Sequence, residues 1–582
     1  MSHEKRIVLA FAVSFAILLV WRVLFVPEPP PRPPQPPAAV QPEEAAPAPA
    51  AEKPAEAEAP PAPPPVPATI PVQQAEETRD ITVENEFYRV TLSNEGAVVR
   101  SWILKKYRDE KGQPLDLVHA EACEQLGFPL SLRLADADLA GKINSARFVV
   151  SATESSLVSP ARLEFVYSDG TVEARKTLEF GAGYEAHLSV SVADSRGSLP
   201  VQVAWPGGFG DHSLPAKSAE MTRRAVYQYA ESTSIEEAGL HPSFWGRVST
   251  WFGGTPKKET EAEISGRLKL AGLTDRYFVA AFLPEFHDAR VEMVREEWTP
   301  EKWEGKDEDK PKPIALRLGR REAQPVVARL LIAPRDLQVL EAIEPPLGHL
   351  VDYGWFWFVA KPLFSGMRHL HDNWVHNYGW AIVLLTIAIN LALFPLRLKQ
   401  IRSSQEMQRV APLVKGIQEK YKHLKFNDPR KQRMQQEIMK LYKEHNVNPL
   451  GGCLPVLLQM PFFFGFYKVL DLSIELRHAP WILWVKDLSA PDPYYVLPTL
   501  MIVFMFIQQK MMPMPTMDPA QQRLMMLMPL FVGFIFFAFA SGLVLYWLTS
   551  TVVGIAQQVL INRLMPPPQP AYLARKAANG KT

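Results

Sequence analysis

The spacing of apolar positions changes several times along this chain. Residues 7–26 form an apolar run of 20 that holds one charge, Arg22. As a helix this run is ~30 Å long, one hydrocarbon thickness. A cleaved signal peptide would show a shorter run and a small-residue cleavage site. Pro27-Glu28-Pro29 follows instead, so residues 1–26 read as an uncleaved anchor, and Lys5 and Arg6 before it favour a cytoplasmic N-terminus. Residues 27–78 offer almost no large apolar side chain, and 19 of the chain's 54 prolines fall between Pro27 and Pro71. Nothing there offsets the entropy of ordering, which predicts an extended, semi-stiff tether.

From 79 to 345 the period shortens to two. Ile81-Thr82-Val83, Tyr88-Arg89-Val90-Thr91-Leu92, Arg162-Leu163-Glu164-Phe165-Val166-Tyr167 and His187-Leu188-Ser189-Val190-Ser191-Val192 alternate in this way. Ser168-Asp169-Gly170, Gly181-Ala182-Gly183 and Pro206-Gly207-Gly208 punctuate the region. The pattern predicts a large antiparallel β-sandwich. No repeat of ~20–50 residues is evident, which argues against a propeller or solenoid.

Long apolar runs return in the last third, with spans expected over 378–396, 453–471 and 495–511. Residues 524–561 form a nearly uncharged run of 38. As one helix that run would reach ~57 Å, too long for a bilayer. Ser541-Gly542 near its middle predicts two spans, 524–540 and 542–561, joined by a tight turn. With the anchor this makes a polytopic α-helical membrane protein of six spans carrying an all-β domain. Residues 346–377 lead into the second span and are dense in Trp, Tyr and Phe, which predicts an amphipathic helix in the headgroup zone, bent near Pro362. Residues 397–450 show apolar positions at helical spacing, broken at Asn427-Asp428-Pro429, which predicts an antiparallel helical hairpin.

Charge orients these elements. Residues 397–450 hold 13 Lys/Arg against 5 Asp/Glu, whereas the connection 472–494 is acidic on balance. Lys510 and Arg523 mark the loop 512–523, and Arg575, Lys576 and Lys581 mark the tail 564–582. The positive-inside rule puts these basic segments and both termini in the cytoplasm and the β domain on the other side. The basic faces of the hairpin suit either nearby anionic lipid or a dock for ribosomal RNA or a nascent chain.

Composition mainly excludes. With 63 Lys+Arg against 62 Asp+Glu the net charge is +1, so the chain has no global basic field for nucleic acid. Cys123 and Cys453 make neither a disulfide framework nor a zinc site, and His369, His371 and His376 match no metal-binding spacing. No catalytic signature is present, so no enzymatic chemistry and no nucleotide, metal or other cofactor is expected. Nine of the 18 methionines lie between Met501 and Met528, which suits either helix packing or adaptable apolar binding. Asn390 and Gln459 lie deep in expected spans, and such side chains face protein or water, which points to a partly hydrated cavity.

The run Asn448-Pro449-Leu450-Gly451-Gly452-Cys453-Leu454-Pro455-Val456-Leu457-Leu458-Gln459-Met460-Pro461 closely resembles the signature of the YidC/Oxa/Alb membrane-protein insertases. Asp487-Leu488-Ser489-Ala490-Pro491-Asp492-Pro493-Tyr494-Tyr495 and Ser541-Gly542-Leu543-Val544-Leu545-Tyr546-Trp547 continue the match in order. The anchor, tether and β domain look like the Gram-negative form with a large periplasmic domain, which in the family is a β-supersandwich similar to sugar mutarotases. The resemblance implies an inner-membrane insertase and chaperone in which five helices, within 378–563, enclose a hydrophilic groove open to cytoplasm and lipid. It implies groove and slide positions at Thr386, Asn390, Gln459, Met460, Met505, Tyr546 and Trp547, with Arg397 at the groove mouth. Asn448, Pro449, Gly451, Gly452, Pro455 and Pro461 would carry the signature. The family usually has an Arg five residues before the Pro of a Pro-Leu pair; here that Pro is Pro395 and the position is Asn390. Implied partners are nascent membrane proteins, the ribosome, the Sec translocon with its accessory subunits, and lipids, with no small-molecule substrate. A small-solute transporter would favour paired half-helices around a midplane site, and neither these nor repeats are evident. A membrane-anchored sugar-processing enzyme is suggested by the β domain alone.

Overall fold

The computed structural model describes residues 70–214, 222–240, 260–301, 303, 310–421, 430–445, 447, 454–511 and 519–566. The anchor 1–26, most of the tether, Asn448, Pro449, Gly451 and Gly452, residues 512–518 and the tail from 567 lie outside the described residues.

Alternation builds the β domain. Strand Val172–Phe180 buries every second residue: Val172, Ala174, Lys176, Leu178 and Phe180. Ala161–Ser168 and Glu185–Asp194 flank it antiparallel. Asp169 turns the chain into it by accepting the N–H groups of Thr171 and Val172 at 2.8 and 2.9 Å. These strands belong to a ten-stranded sheet, and two five-stranded sheets complete the domain. Side chains such as Trp102, Phe165, Trp205 and Phe278 are fully buried in its core. In strand Val172–Phe180 one basic side chain, Lys176, occupies an inward position. The Lys176 ammonium donates to the carbonyls of Gly96, Ala97 and Leu130 at 2.7, 3.0 and 2.7 Å, so each of its three N–H bonds has an acceptor. The sandwich departs from the antiparallel expectation at Ser156–Val158, which runs parallel to Asp80–Glu84. The chain reaches that free edge after a long excursion, and parallel pairing needs such a crossover rather than a hairpin.

Helices follow the last strand. They are α1 (Trp357–Leu370), α2 (Tyr378–Ala392), α3 (Phe394–Lys420), α4 (Arg430–Glu444), α5 (Leu454–Leu472), α6 (Val496–Met511), α7 (Pro519–Phe536) and α8 (Ser541–Leu564). Pro362 lies within α1, whose Ala360, Leu363, Phe364 and Met367 are buried while Trp357 and Phe358 are exposed. A π-helical turn over His371–Val375 and a left-handed His376 lead into α2, which is bent 117° from Gly354–Val375. The apolar run 378–396 is divided in the structure, ending α2 at Ala392 and starting α3 at Phe394. Pro395 sits in the first turn of α3, where a missing N–H leaves no hydrogen bond unmade. Val410 and Val414 of α3 pack with Ile438 and Tyr442 of α4 and with Val447, apart from the main core.

Helix α8 packs on α2, α5 and α6 and buries polar as well as apolar residues. On α7, by contrast, Met526, Leu527, Leu530, Phe531 and Phe534 stand exposed, a surface suited to hydrocarbon. Among the described residues only α8 is by itself long and apolar enough to cross a bilayer, with one more span if the bent pair is counted. With 15 residues α2 reaches ~22 Å, and with 16 α6 reaches ~24 Å. Helix length therefore does not establish the expected six spans.

Charge joins the β domain to the helices. Arg276 donates from Nε to the Asp471 carbonyl at 2.9 Å and lies 3.2 Å from its carboxylate. Arg477, with 4% of its side chain exposed, pairs with the equally buried Asp211.

Candidate functional site

Polar side chains from three helices meet inside the apolar bundle. Ser550 of α8 is their centre: Gln459 of α5 donates to its Oγ at 3.0 Å, and Asn390 of α2 donates to it at 3.3 Å. Asn390 also donates to the Thr386 carbonyl at 2.8 Å, and the Thr386 hydroxyl bonds back to the Ile382 carbonyl at 2.6 Å. Because α2 stops at Ala392, the Asn390 carbonyl belongs to its last turn and lacks the usual helical donor. Gln557 of α8 supplies one at 3.0 Å. Tyr546, Ser550, Gly554 and Gln557/Gln558 recur on α8 at spacings of three and four, which places them on one face.

Arg397, expected at the groove mouth, reaches into this seam. Its guanidinium lies against Gly554: a Cβ on residue 554 would fall 2.8 Å from Cζ and 3.1 Å from Nη1. Gly554 is one turn from Ser550 and less than one from Gln557, so the cation sits between those rungs. The Arg397 Nε and the Oε1 atoms of Gln557 and Gln558 are buried without a partner. An apolar flank adjoins the seam. Tyr546 stacks on Phe466 at 4.3 Å, and Trp547 packs edge-on against Phe463 at 5.0 Å with Phe536 of α7 at 5.1 Å.

The structure thus brings together Thr386, Asn390 and Gln459, with Tyr546 on the same face of α8. Met505 packs on the core from α6, whereas Met460 is exposed and does not join the seam. Pro461 lies inside α5 and Pro455 in its first turn. Sequence reasoning passed over Ser550, Gly554 and Gln557 as site residues, although their helical spacing within an apolar run was the available signal.

Of the interfacial histidines, His371 stacks on Tyr378 at 3.8 Å and bonds to Asp372 at 2.8 Å. Ligand atoms of Glu110, His478 and Asp487 do lie within 4.8 Å of one another. Asp487 already accepts the N–H and hydroxyl of Ser489 at 2.7 Å, and Glu110 lies 4.0 Å from the Arg477 cation.

Comparison with known proteins agrees with this architecture. Residues 370–568 match the family described as 60Kd inner membrane protein, and residues 80–365 match the YidC periplasmic domain. Together they define an inner-membrane protein with a helical C-terminal region and a periplasmic β-sandwich domain. The membrane protein insertase YidC of Geotalea daltonii is 34% identical over 572 residues, covering 97% of this chain and 100% of that protein. That of Geobacter metallireducens is 35% identical over 569 residues, covering 96% and 98%. A solved structure, YidC from Thermotoga maritima, is 15% identical with a TM-score of 0.27, covering 84% of this chain and 99% of that one. The chain belongs to the YidC family of membrane protein insertases, which integrate proteins into the membrane rather than catalyse a chemical reaction.

Proposed function

We propose that the seam around Ser550 receives the hydrophilic part of a nascent membrane protein while its apolar part passes into lipid alongside α7. The observation that carries this reading is the convergence of Asn390, Gln459 and Gln557 around Ser550 within an otherwise apolar bundle. Moving peptide groups and charges through hydrocarbon costs several kcal/mol per group. Side chains that hydrogen-bond, and water admitted with them, shorten the part of the path that is oil. The short α2 and α6 reduce it further by thinning the bilayer around them. The exposed Phe531 and Phe534 of α7 and the Trp547 cluster give the emerging segment an apolar surface, and burial releases ~25 cal/mol per Å².

The reading includes six spans: the anchor 1–26, then α2, α5, α6, α7 and α8. The hairpin 397–450, the loop 512–523 and both termini are cytoplasmic, and the domain 79–345 with the loop 472–494 is periplasmic. Helix α1 lies on the outer leaflet. Support comes from the excess of 13 Lys/Arg over 5 Asp/Glu in 397–450 and from the exposed Trp357 and Phe358 of α1. Partners in this arrangement are nascent chains, the ribosome at the basic hairpin, the Sec translocon and lipid. No cofactor is needed. Photocrosslinking residues placed at Thr386, Gln459, Met505 and Trp547 are expected to capture nascent apolar segments during insertion. Capture confined to the β domain would overturn the proposal.

A further inference from the structure

We propose that Glu110, His478 and Asp487 form a binding site for a divalent transition metal, zinc by the chemistry of its donors, and that the ion clamps the β domain to the loop after α5. The site lies at the junction of the two parts of the chain and does not depend on the reading of the seam.

Local hydrogen bonds bring the three donors together. Glu110 stands in the turn between the strands Val98–Arg108 and Pro114–Asp116, where Asp109 accepts the N–H groups of Lys111 and Gln113 at 2.9 and 2.7 Å. The Glu110 N–H donates to Ser213 Oγ at 3.0 Å, and that hydroxyl donates to Asp211 at 2.6 Å. Asp211 pairs with Arg477, the residue before His478, so one ion pair fixes the spacing of the turn and the loop. Within the loop, Leu488 donates to the Ala479 carbonyl and Trp481 to the Val485 carbonyl, each at 3.0 Å. Its two limbs therefore lie side by side, which sets His478 Nδ1 3.5 Å from Asp487 Oδ2.

One donor atom from each residue lies within 4.8 Å of the other two. Metal–donor bonds of ~2.0–2.2 Å at tetrahedral angles put neighbouring donors ~3.4 Å apart, close to the Nδ1–Oδ2 separation. Glu110, on an exposed turn, closes the remaining gap by rotating. Asp487 Oδ1 accepts both the N–H and the hydroxyl of Ser489, which orients the carboxylate and leaves Oδ2 for the ion. Nδ1 of a neutral imidazole offers a lone pair, and a set with imidazole favours zinc over calcium or magnesium, which prefer oxygen donors. Charge points the same way. Three carboxylates, Glu110, Asp211 and Asp487, gather here with one guanidinium, Arg477, and the two uncompensated negative charges match a divalent cation. The half-exposed side chains of Glu110 and His478 leave a fourth position open to water.

The test titrates zinc chloride into the untagged full-length protein, purified in detergent and stripped of metal with a chelator, and follows heat of binding and hydrogen exchange. One zinc per chain is expected to bind, with exchange slowing together in residues 109–113 and 477–489. Glu110→Gln, His478→Ala and Asp487→Asn are each expected to weaken binding by at least about tenfold, and Ser489→Ala by about tenfold through the orientation of Asp487. Glu110→His, which exchanges one donor for another, is expected to keep zinc bound, a result that damage to the turn does not give. No zinc binding by the wild-type protein would overturn the proposal. Binding that survives His478→Ala would place the ion on other residues and overturn it too. Loss with His478→Ala and Asp487→Asn but not with Glu110→Gln would leave the ion on the loop alone and overturn the clamp. Calcium bound as tightly as zinc would overturn the assignment of the metal.

Discussion

His119 and His212 of the β domain stack with ring centroids 4.2 Å apart. Burial pulls His119 down to about 4 and His212 well below the usual histidine range, and the Arg223 guanidinium pushes both the same way. His212 faces the Leu117 carbonyl through Nε2 at 3.3 Å, so this nitrogen carries the proton, and Nδ1 accepts from Arg223 at 2.9 Å. A second proton would point at a cation. In the unfolded chain the rings protonate near 6.5. Stability from keeping them neutral is therefore complete above that pH and is lost as pH falls from about 6.5 towards 4. Calorimetry across this interval is expected to show Tm falling by on the order of 5 °C, with His212→Asn flattening the dependence. A wild-type profile without slope would contradict the assignment. Residues of this kind differ in how legible they are. Asn390 and Gln459 stand out because amides are rare in apolar runs. Ser550 does not, because a lone serine is ordinary there and its partners lie 160 and 91 residues away.

At the scale of elements, one connector organises two helices. Asp492, almost fully buried, accepts the Leu497 N–H at 2.7 Å and the Tyr494 N–H at 3.0 Å, which caps α6. Two positions earlier, Ala490 accepts the Ser541 N–H at 2.7 Å, and Leu488 accepts the Gly542 N–H at 2.9 Å, so the start of α8 is satisfied as well. Helix α2 is tied to the preceding part of this loop at its own N-cap. Asn377 accepts from the Trp380 N–H at 3.1 Å and donates to the carbonyls of Pro480 and Trp481. Gly379 then lets Trp481 pack against α2, since a Cβ there would come 2.6 Å from that of Trp481. Gly379→Val is expected to cost about 1–3 kcal/mol by forcing the indole out. A lower Tm and a red-shifted tryptophan emission of the purified protein would report it. The existence and type of most such elements follow from periodicity. The break at Leu393 and the π-helical turn at His371–Val375 do not, because apolar periodicity runs on through the first and aromatic residues mask the second.

For the molecule as a whole, the β domain and the helices depend on pairs that no local pattern reveals. Arg477 and Asp211 are 266 residues apart, and Arg276 meets Asp471 across 195. Alternation shows that strands exist but carries no information about which edge Ser156–Val158 will join. The Arg477 guanidinium also lies 5.8 Å from the ring centroids of both Tyr277 and Phe278, so it is packed as well as paired. Arg477→Ala leaves Asp211 buried and uncompensated, which costs about 3–5 kcal/mol. Hydrogen exchange is expected to quicken in the loop after α5 and around residues 275–278 together, as the junction loosens. Acceleration limited to one side would show that the pair does not couple them.

The bend of 117° ahead of α2 carries a last consequence. Exposed indoles at Trp355, Trp357 and Trp374 border this elbow and prefer the water–lipid boundary. In the proposed topology they would act as floats, and the bend would set the level of Asn390, ~18 Å along α2 from Tyr378. In that topology the depth of the polar seam would thus be set from the outer surface, and a thicker membrane would draw Asn390 further from the cytoplasmic face.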